Sequence, residues 1–238
     1  GDEAVALADE AGHPFSQMFA NLWAGNAFVM HRAFDRAIPP LERSLDLCRN
    51  RGLNLLQARV TSTLGFAYYN VGRRAEGLKM LESTVADAEF RSIRWNFAQQ
   101  ATWLAEVYLA EGMLDRASEM AKRALDAAVA SGEKASEAWS LWLMGEVLCA
   151  SASTPEPIAH RYLTKAWDMA NAHRMGPLLA RCNQSLGNFF VRHRAPSKAK
   201  GEFEKALSYF ATYGMASCVE DVTRELRLVA DRRAQRVH

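Results

Sequence analysis

Small residues recur along this chain at a nearly fixed interval. Gly25, Gly65, Ala105, Gly145 and Gly187 stand 40, 40, 40 and 42 residues apart. Ala37, Gly77, Ala117, Ala159 and Ala199 stand 40, 40, 42 and 40 apart. A large side chain follows the first series three residues later each time: Phe28, Tyr68, Tyr108, Leu148 and Phe190. Two series holding one period mark a repeat array, whose units bury their apolar faces against their neighbours. Apolar residues between the markers recur at helical spacing, so each repeat reads as two antiparallel helices. A missing or minimal side chain at each marker lets the two backbones approach where they cross. Leu64, Leu104, Met144 and Leu186 precede the markers and are expected to fill the space inside each pair.

First helices are expected over 15–31, 54–71, 94–111, 134–150 and 177–193, and second helices over 36–51, 74–91, 114–131, 156–173 and 197–213. Turns within pairs carry Gly72 and Gly112, where a helix can end in a left-handed residue. Between repeats Gly12, Gly52, Gly132 and Gly214 share one phase, in which Ser92 and Arg174 replace glycine. Pro14 and Pro177 suit helix starts. Pro39 and Pro40 should make their helix start late or bend. The two-residue excess falls in SASTPEP (151–157), where Thr154 suits an N-cap and Pro155 the first helical position. Residues 1–12 read as the end of a helix from a preceding repeat, 13–214 as five helix pairs, and 215–238 as a capping helix with a basic tail. The opening glycine fits a cut, so a fragment of something longer is expected.

Composition narrows the function classes. Across 238 residues the chain is 49% hydrophobic with a formal charge of +2, which suits a sizeable core and argues against a strong global field. Cys48, Cys149, Cys182 and Cys218 stand singly, with neither CxxC spacing nor a nearby histidine. Reduced, buried thiols in a cytoplasmic protein are the expectation. No run approaches a membrane-spanning length.

The quoted residues resemble the tetratricopeptide (TPR) repeat. LGFAYYNVGRRAEGLKML (64–81) and LAEVYLAEGMLDRASEMAKRAL (104–125) match its leucine–glycine, tyrosine, glycine and small-residue positions, with Ala105 standing for the usual glycine. The period exceeds that family's usual 34, and so is similar to the long-helix version found in bacterial signalling ATPases. GHPFS (12–16), LGFAYYNVGRRAEGL (64–78), WLAEVYLAEGMLDRA (103–117) and SGEKASEAWSLWLMGEVL (131–148) are further similar to the C-terminal repeats of bacterial proteins that join a class III adenylate/guanylate cyclase domain to an ATPase domain. The resemblance implies an all-α, right-handed α-solenoid of five pairs plus a C-terminal cap. It also implies a non-catalytic interaction or regulatory arm of a multidomain bacterial signalling protein.

No catalytic pattern offers itself. GxxxxGK[ST], HExxH and GxSxG are absent, and none of the six histidines has a second ligand at helical spacing. No catalytic residue, cofactor or metal is expected. By the TPR likeness, first helices line a concave groove that would present Asn26, Met30, Arg59, Phe66, Tyr69 and Asn70, then Gln99, Thr102, Glu106, Trp139, Trp142 and Glu146, and finally Arg181, Gln184, Asn188 and Arg192. Such a mixture suits an extended peptide or partner domain. Trp139 and Trp142 could equally pack between helices, and Glu106 and Glu146 read as solvated groove charges. The basic run Arg192, His193, Arg194, Lys198, Lys200 and Lys205 lacks interleaved aromatics and reads as a solvated face, so neither nucleic acid nor membrane is expected as partner. The alternatives are small-molecule (inducer) sensing, motivated by Phe66, Tyr69, Trp139 and Trp142, and self-association into a homo-oligomer.

Overall fold

The computed structural model describes residues 1–53, 56–90, 96–151 and 156–234. Among them helices follow in the order α1 (Asp2–Ala11), α2 (Pro14–Met30), α3 (Phe34–Arg51), α4 (Gln57–Asn70), α5 (Arg74–Phe90) and α6 (Phe97–Ala110). They continue with α7 (Leu114–Ser131), α8 (Lys134–Ala150), α9 (Glu156–Ala172), α10 (Gly176–Arg192), α11 (Pro196–Thr212) and α12 (Ala216–Ala234). The fold is all-α, with no strand among the described residues. It divides into two compact units, Gly1–Glu111 and Gly112–His238. In the first, α2 packs on α3 and α4 on α5, and first helices also touch, α2 on α4 and α4 on α6. In the second, α8 packs on α9 and α10 on α11, with α8 touching α10.

The markers sit at the crossings. A Cβ added at Gly25 would collide with the Leu41 side chain, and one at Gly145 would lie 2.5 Å from Leu163 Cδ2. At Gly187 the obstacle is the Phe203 ring, at 2.5 Å. At the α4/α5 crossing glycine stands on both sides. An added Cβ on Gly65 would meet Gly77 O at 3.1 Å, and one on Gly77 would strike Gly65 O and Tyr69 N. Around the crossings the first unit buries Met18, Leu22, Leu41, Leu64, Leu81 and Leu104. The second buries Leu141, Leu143, Leu163, Leu178, Phe203 and Phe210. The α12 helix lays Cys218, Val222 and Val229 into the cluster of Phe203 and Phe210.

Seven helix ends share one device. Ala33 N–H donates to Phe28 O, Leu53 to Cys48 O, Arg73 to Tyr68 O and Glu133 to Ala128 O, each between 2.9 and 3.0 Å. Met175, Ala195 and Met215 donate in the same way to Ala170, Phe190 and Phe210. These are the six-to-one bonds of a Schellman ending, which need a left-handed residue before the donor. Gly52, Gly72, Gly132 and Gly214 supply it cheaply, but Arg32, Arg174 and Arg194 adopt φ values of 56°, 53° and 56°. A non-glycine residue there costs on the order of 1–2 kcal/mol.

Three expectations require correction. The fourth and sixth helices start at Gln57 and Phe97, after 54 and 94. Asn96 has a left-handed φ of 62° and Leu56 a ψ of 0°, and neither continues a regular helix. Pro39 and Pro40 do not delay α3, which begins at Phe34 and runs through both. The carbonyls that lose their N–H partners belong to Asp35 and Arg36, both exposed residues that water can serve. Thr154, Pro155 and Ser92 lie outside the described residues.

Candidate functional site

In the first unit, α2, α4 and α6 place a polar cluster over an aromatic row. Arg32 lies in the turn after α2 and donates to Asn70 Oδ1 at 3.3 Å and to Glu106 Oε1 at 3.2 Å. The Asn70 amide is aimed by its own Nδ2, which donates to Phe66 O at 2.8 Å. The pair of charges is only partly solvated, with Arg32 and Glu106 side chains 25% and 18% exposed. Beside them Arg32 stacks over Phe34, Phe34 meets Phe66 edge-on at 5.8 Å, and Phe66 lies flat on Trp103 at 5.4 Å. At the other end of α4, Arg59 covers the Trp23 ring and donates to Asn96 Oδ1 at 2.6 Å. On α2 the Asn26 side-chain oxygen is buried with no hydrogen-bond partner.

Tyrosine–glutamate bonds tie neighbouring helices together beside this cluster. Tyr68 donates to Glu42 at 2.5 Å and Tyr108 to Glu82 at 2.8 Å, the same contact one repeat apart. Tyr69 donates to Glu111 at 2.6 Å, with Arg74 3.9 Å from that carboxylate. Burial, reinforced by the glutamate each phenol faces, pushes Tyr68 and Tyr69 up to about 12. The hydroxyls therefore stay protonated donors at neutral pH and act as fasteners.

In the second unit, α8 and α10 build a drier arrangement. Trp139 meets Trp142 edge-on at 5.7 Å, and Arg181 sits 4.1 Å over the Trp142 ring. Trp142 Nε1 donates to Ser185 Oγ at 2.8 Å, and Trp167 Nε1 to Asn183 Oδ1 at 3.1 Å. Arg192 donates to Cys149 O at 2.7 Å. Burial pushes the Cys149 thiol up to about 11 and raises Cys182 further, so neither is a thiolate nucleophile at neutral pH.

The sixteen expected groove residues thus sort by burial. Phe66, Tyr69, Thr102 and Trp142 are buried: they are committed to packing or to internal bonds and offer little surface. Asn26, Met30, Arg59, Asn70, Gln99 and Glu106 in the first unit are half-buried, as are Trp139, Glu146, Arg181, Gln184 and Asn188 in the second. Arg192 is exposed. The structure brings Asn70 and Glu106 together through a residue the sequence reading passed over, Arg32. The signal was present: Arg32 occupies the phase of Gly72 and Gly112, where an arginine has no backbone reason to be.

No protein-family model matches the chain, and no curated protein matches it by sequence. Solved structures do match. The apo form of RapI aligns with a TM-score of 0.59 at 11% identity, over 92% of this chain and 84% of that one. BtubC (BKLC) from P. vanneervenii aligns at 0.57 and 15% identity, over 87% and 93%. A Podosopora anserina protein described as a kinesin light chain with nearly identical TPR-like repeats aligns at 0.55 and 17%, over 84% and 97%. The fold is that of TPR-like helical repeats. At these identities the likeness extends to the fold alone. Among the described residues no group of three or more His, Cys, Asp or Glu could hold a metal ion, and no helix is long and apolar enough to cross a membrane.

Proposed function

We propose that the chain is a non-catalytic, TPR-like interaction module that captures an extended peptide segment across α2, α4 and α6. The observation that carries this reading is the Arg32 guanidinium shared between Asn70 and Glu106 beside the Phe34–Phe66–Trp103 row. An extended segment presents main-chain amides and carbonyls at regular intervals, and Arg, Asn and Glu side chains read these groups from the rim that the buried aromatic row holds in place. Half-buried charges strengthen such bonds without the full penalty of a dry ion pair. On the resemblance to cyclase–ATPase repeats we read the module as an arm of a cytoplasmic bacterial signalling protein, a parentage that upstream sequence lacking both enzymatic motifs would overturn.

The test selects peptides from a displayed library against the 238-residue chain, then measures the selected peptide by fluorescence anisotropy. Arg32→Gly suits the left-handed backbone, so the fold tolerates it. Losing a charge-assisted hydrogen bond should weaken binding about 10–100-fold. Equal affinity for Arg32→Gly and for Asn70→Ala would remove the cluster from the function.

A second reading, small-molecule sensing in the second unit, is favoured by one observation: Arg181 over the Trp142 ring beside Trp139. Metabolite pools that shift indole fluorescence and melting temperature together would favour it over peptide capture.

A further inference from the structure

Two buried amides at the start of α6 break the pattern of the repeat. Asn96 and Gln100 are 5% and 3% exposed. The preceding repeat fills the same two phases with Leu56 and Val60, and the fifth with Leu178 and Cys182, all of them buried. The packing therefore takes apolar side chains at these positions and has no need of an amide. Other buried polar side chains of the first unit are served by main chain: Ser44 donates to Met18 O, Thr63 to Arg59 O and Thr102 to Ala98 O, at 2.9, 2.8 and 2.8 Å. Asn96 Nδ2 and Gln100 Oε1 are buried with no hydrogen-bond partner, and an unmet pair of this kind in a folded protein asks for a cause. The orientation of the Asn96 amide is set by its oxygen, which accepts from Arg59 Nη1 at 2.6 Å. The same guanidinium lies 4.5 Å from the centre of the Trp23 ring, so Arg59 bridges α6 to α2 at this end of α4.

We infer that Asn96 and Gln100 form a specificity subsite for a primary carboxamide, the side chain of an asparagine or glutamine in the captured segment. The inference rests on peptide capture across α2, α4 and α6. A donor and an acceptor left unmet one helical turn apart call for a group that carries both. A carboxylate only accepts, and would set its oxygen against Gln100 Oε1. A guanidinium or ammonium only donates; it would leave Asn96 Nδ2 unserved and would face Arg59. A primary carboxamide places its oxygen on Asn96 Nδ2 and its nitrogen on Gln100 Oε1. A site built this way rejects an analogue that lacks the polar group, because its own buried groups are then left unpaired. Entry needs Arg59 to lift off Trp23, a side-chain motion that leaves the helices in place. Arg59 and Asn70 lie 11 residues apart on α4, about 16 Å of helix axis. An extended segment covers that span in about five residues, which sets the carboxamide about five residues from the position read by Arg32 and Asn70.

Peptides selected from a displayed library against the full chain provide the probe. They should share an asparagine or glutamine at one position, and changing it to leucine should weaken binding to the parent about 10-fold or more by fluorescence anisotropy. On Gln100→Leu the same peptide change should cost little, since the protein partner is already gone; that non-additivity is the signature of direct contact. Gln100→Leu should melt at or above the parent temperature, because it replaces an unserved amide with the kind of side chain other repeats use there. Asn96→Gly suits the left-handed φ of 62° and should lose the same affinity. A lower melting temperature for Gln100→Leu would mean that the amide serves the fold through an ordered water, and would overturn the inference. Losses that simply add, or selected peptides without a shared carboxamide, would overturn it as well. Peptides that respond to Arg32→Gly but not to Gln100→Leu would leave capture standing and remove this subsite alone.

Discussion

A methyl group added at Gly77 lands on main chain, and this makes Gly77→Ala the sharpest test of the packing described above. Its Cβ would collide with Gly65 O and lie 2.6 Å from Tyr69 N and 2.9 Å from Tyr69 Cα. No rotamer change moves those atoms; only separation of α4 from α5 does. Overpacking where side chains can yield costs about 1–3 kcal/mol, so a backbone obstacle belongs at the upper end or beyond. Alanine's higher helix propensity returns about 1 kcal/mol, leaving a net loss of about 2 kcal/mol or more. Gly201 provides the control. It is also inside a helix, α11, but an added Cβ there meets nothing within 4 Å. Only the propensity gain survives, about 1 kcal/mol in favour of the fold. For a chain of this size about 2–4 °C accompanies each kcal/mol. Differential scanning calorimetry should therefore show Gly77→Ala melting about 4–8 °C lower and Gly201→Ala about 2–4 °C higher. A Gly77→Ala protein that melts at or above the parent would refute the close crossing, whatever Gly201→Ala does.

Two further outcomes follow from buried groups. Leu104, 1% exposed, should cost about 2–5 kcal/mol on truncation to alanine; because repeats depend on neighbours, thermal unfolding should broaden, and a single sharp transition at an unchanged midpoint would count against that coupling. Tyr68 and Tyr69 are raised from 10 to about 12, so the fold favours the neutral phenol: their contribution is complete below about pH 10 and is lost as pH rises towards about 12. Phenolate absorbance should keep a component that appears only as pH approaches about 12, and Tyr69→Phe should diminish it; a titration complete near pH 10 would contradict the burial.

How much of this was legible beforehand depends on which atoms did the specifying. The crossings were readable because close approach leaves no room for a large side chain, so Gly65, Gly77 and Gly145 report geometry directly. Helix ends were readable for the same reason wherever glycine supplied the left-handed residue. Starts were not. None of the helices with a described cap has a side-chain bond there, so the sequence carried no mark at Gln57 or Phe97. The prolines of α3 misled because their cost depends on whether water reaches two carbonyls, which is a property of the fold around them. In the candidate site the half-buried polar residues were named individually, but the grouping was not. Arg32 joins Asn70 and Glu106 across 38 and 74 residues of sequence, distances that helical periodicity does not encode.

Burial also changes which residues should answer to a functional test. Phe66 and Trp142 were expected to face the groove because they lie on first helices. In the structure Phe66 lies on Trp103, and Trp142 is held by Ser185 and capped by Arg181. Removing either ring would open a cavity and cost about 3–5 kcal/mol before any partner was lost. Such a variant would lose binding by unfolding and would say nothing about recognition. The groups that can be changed without that penalty are Arg32, which lies over Phe34, and its partners Asn70 and Glu106. They are exposed enough to be replaced and oriented enough to read a partner. A division of labour follows: aromatic residues hold the first helices in register, and polar residues on their rim carry specificity. Substitutions on the rim should therefore alter partner affinity with little change in melting, whereas substitutions beneath it should alter both together.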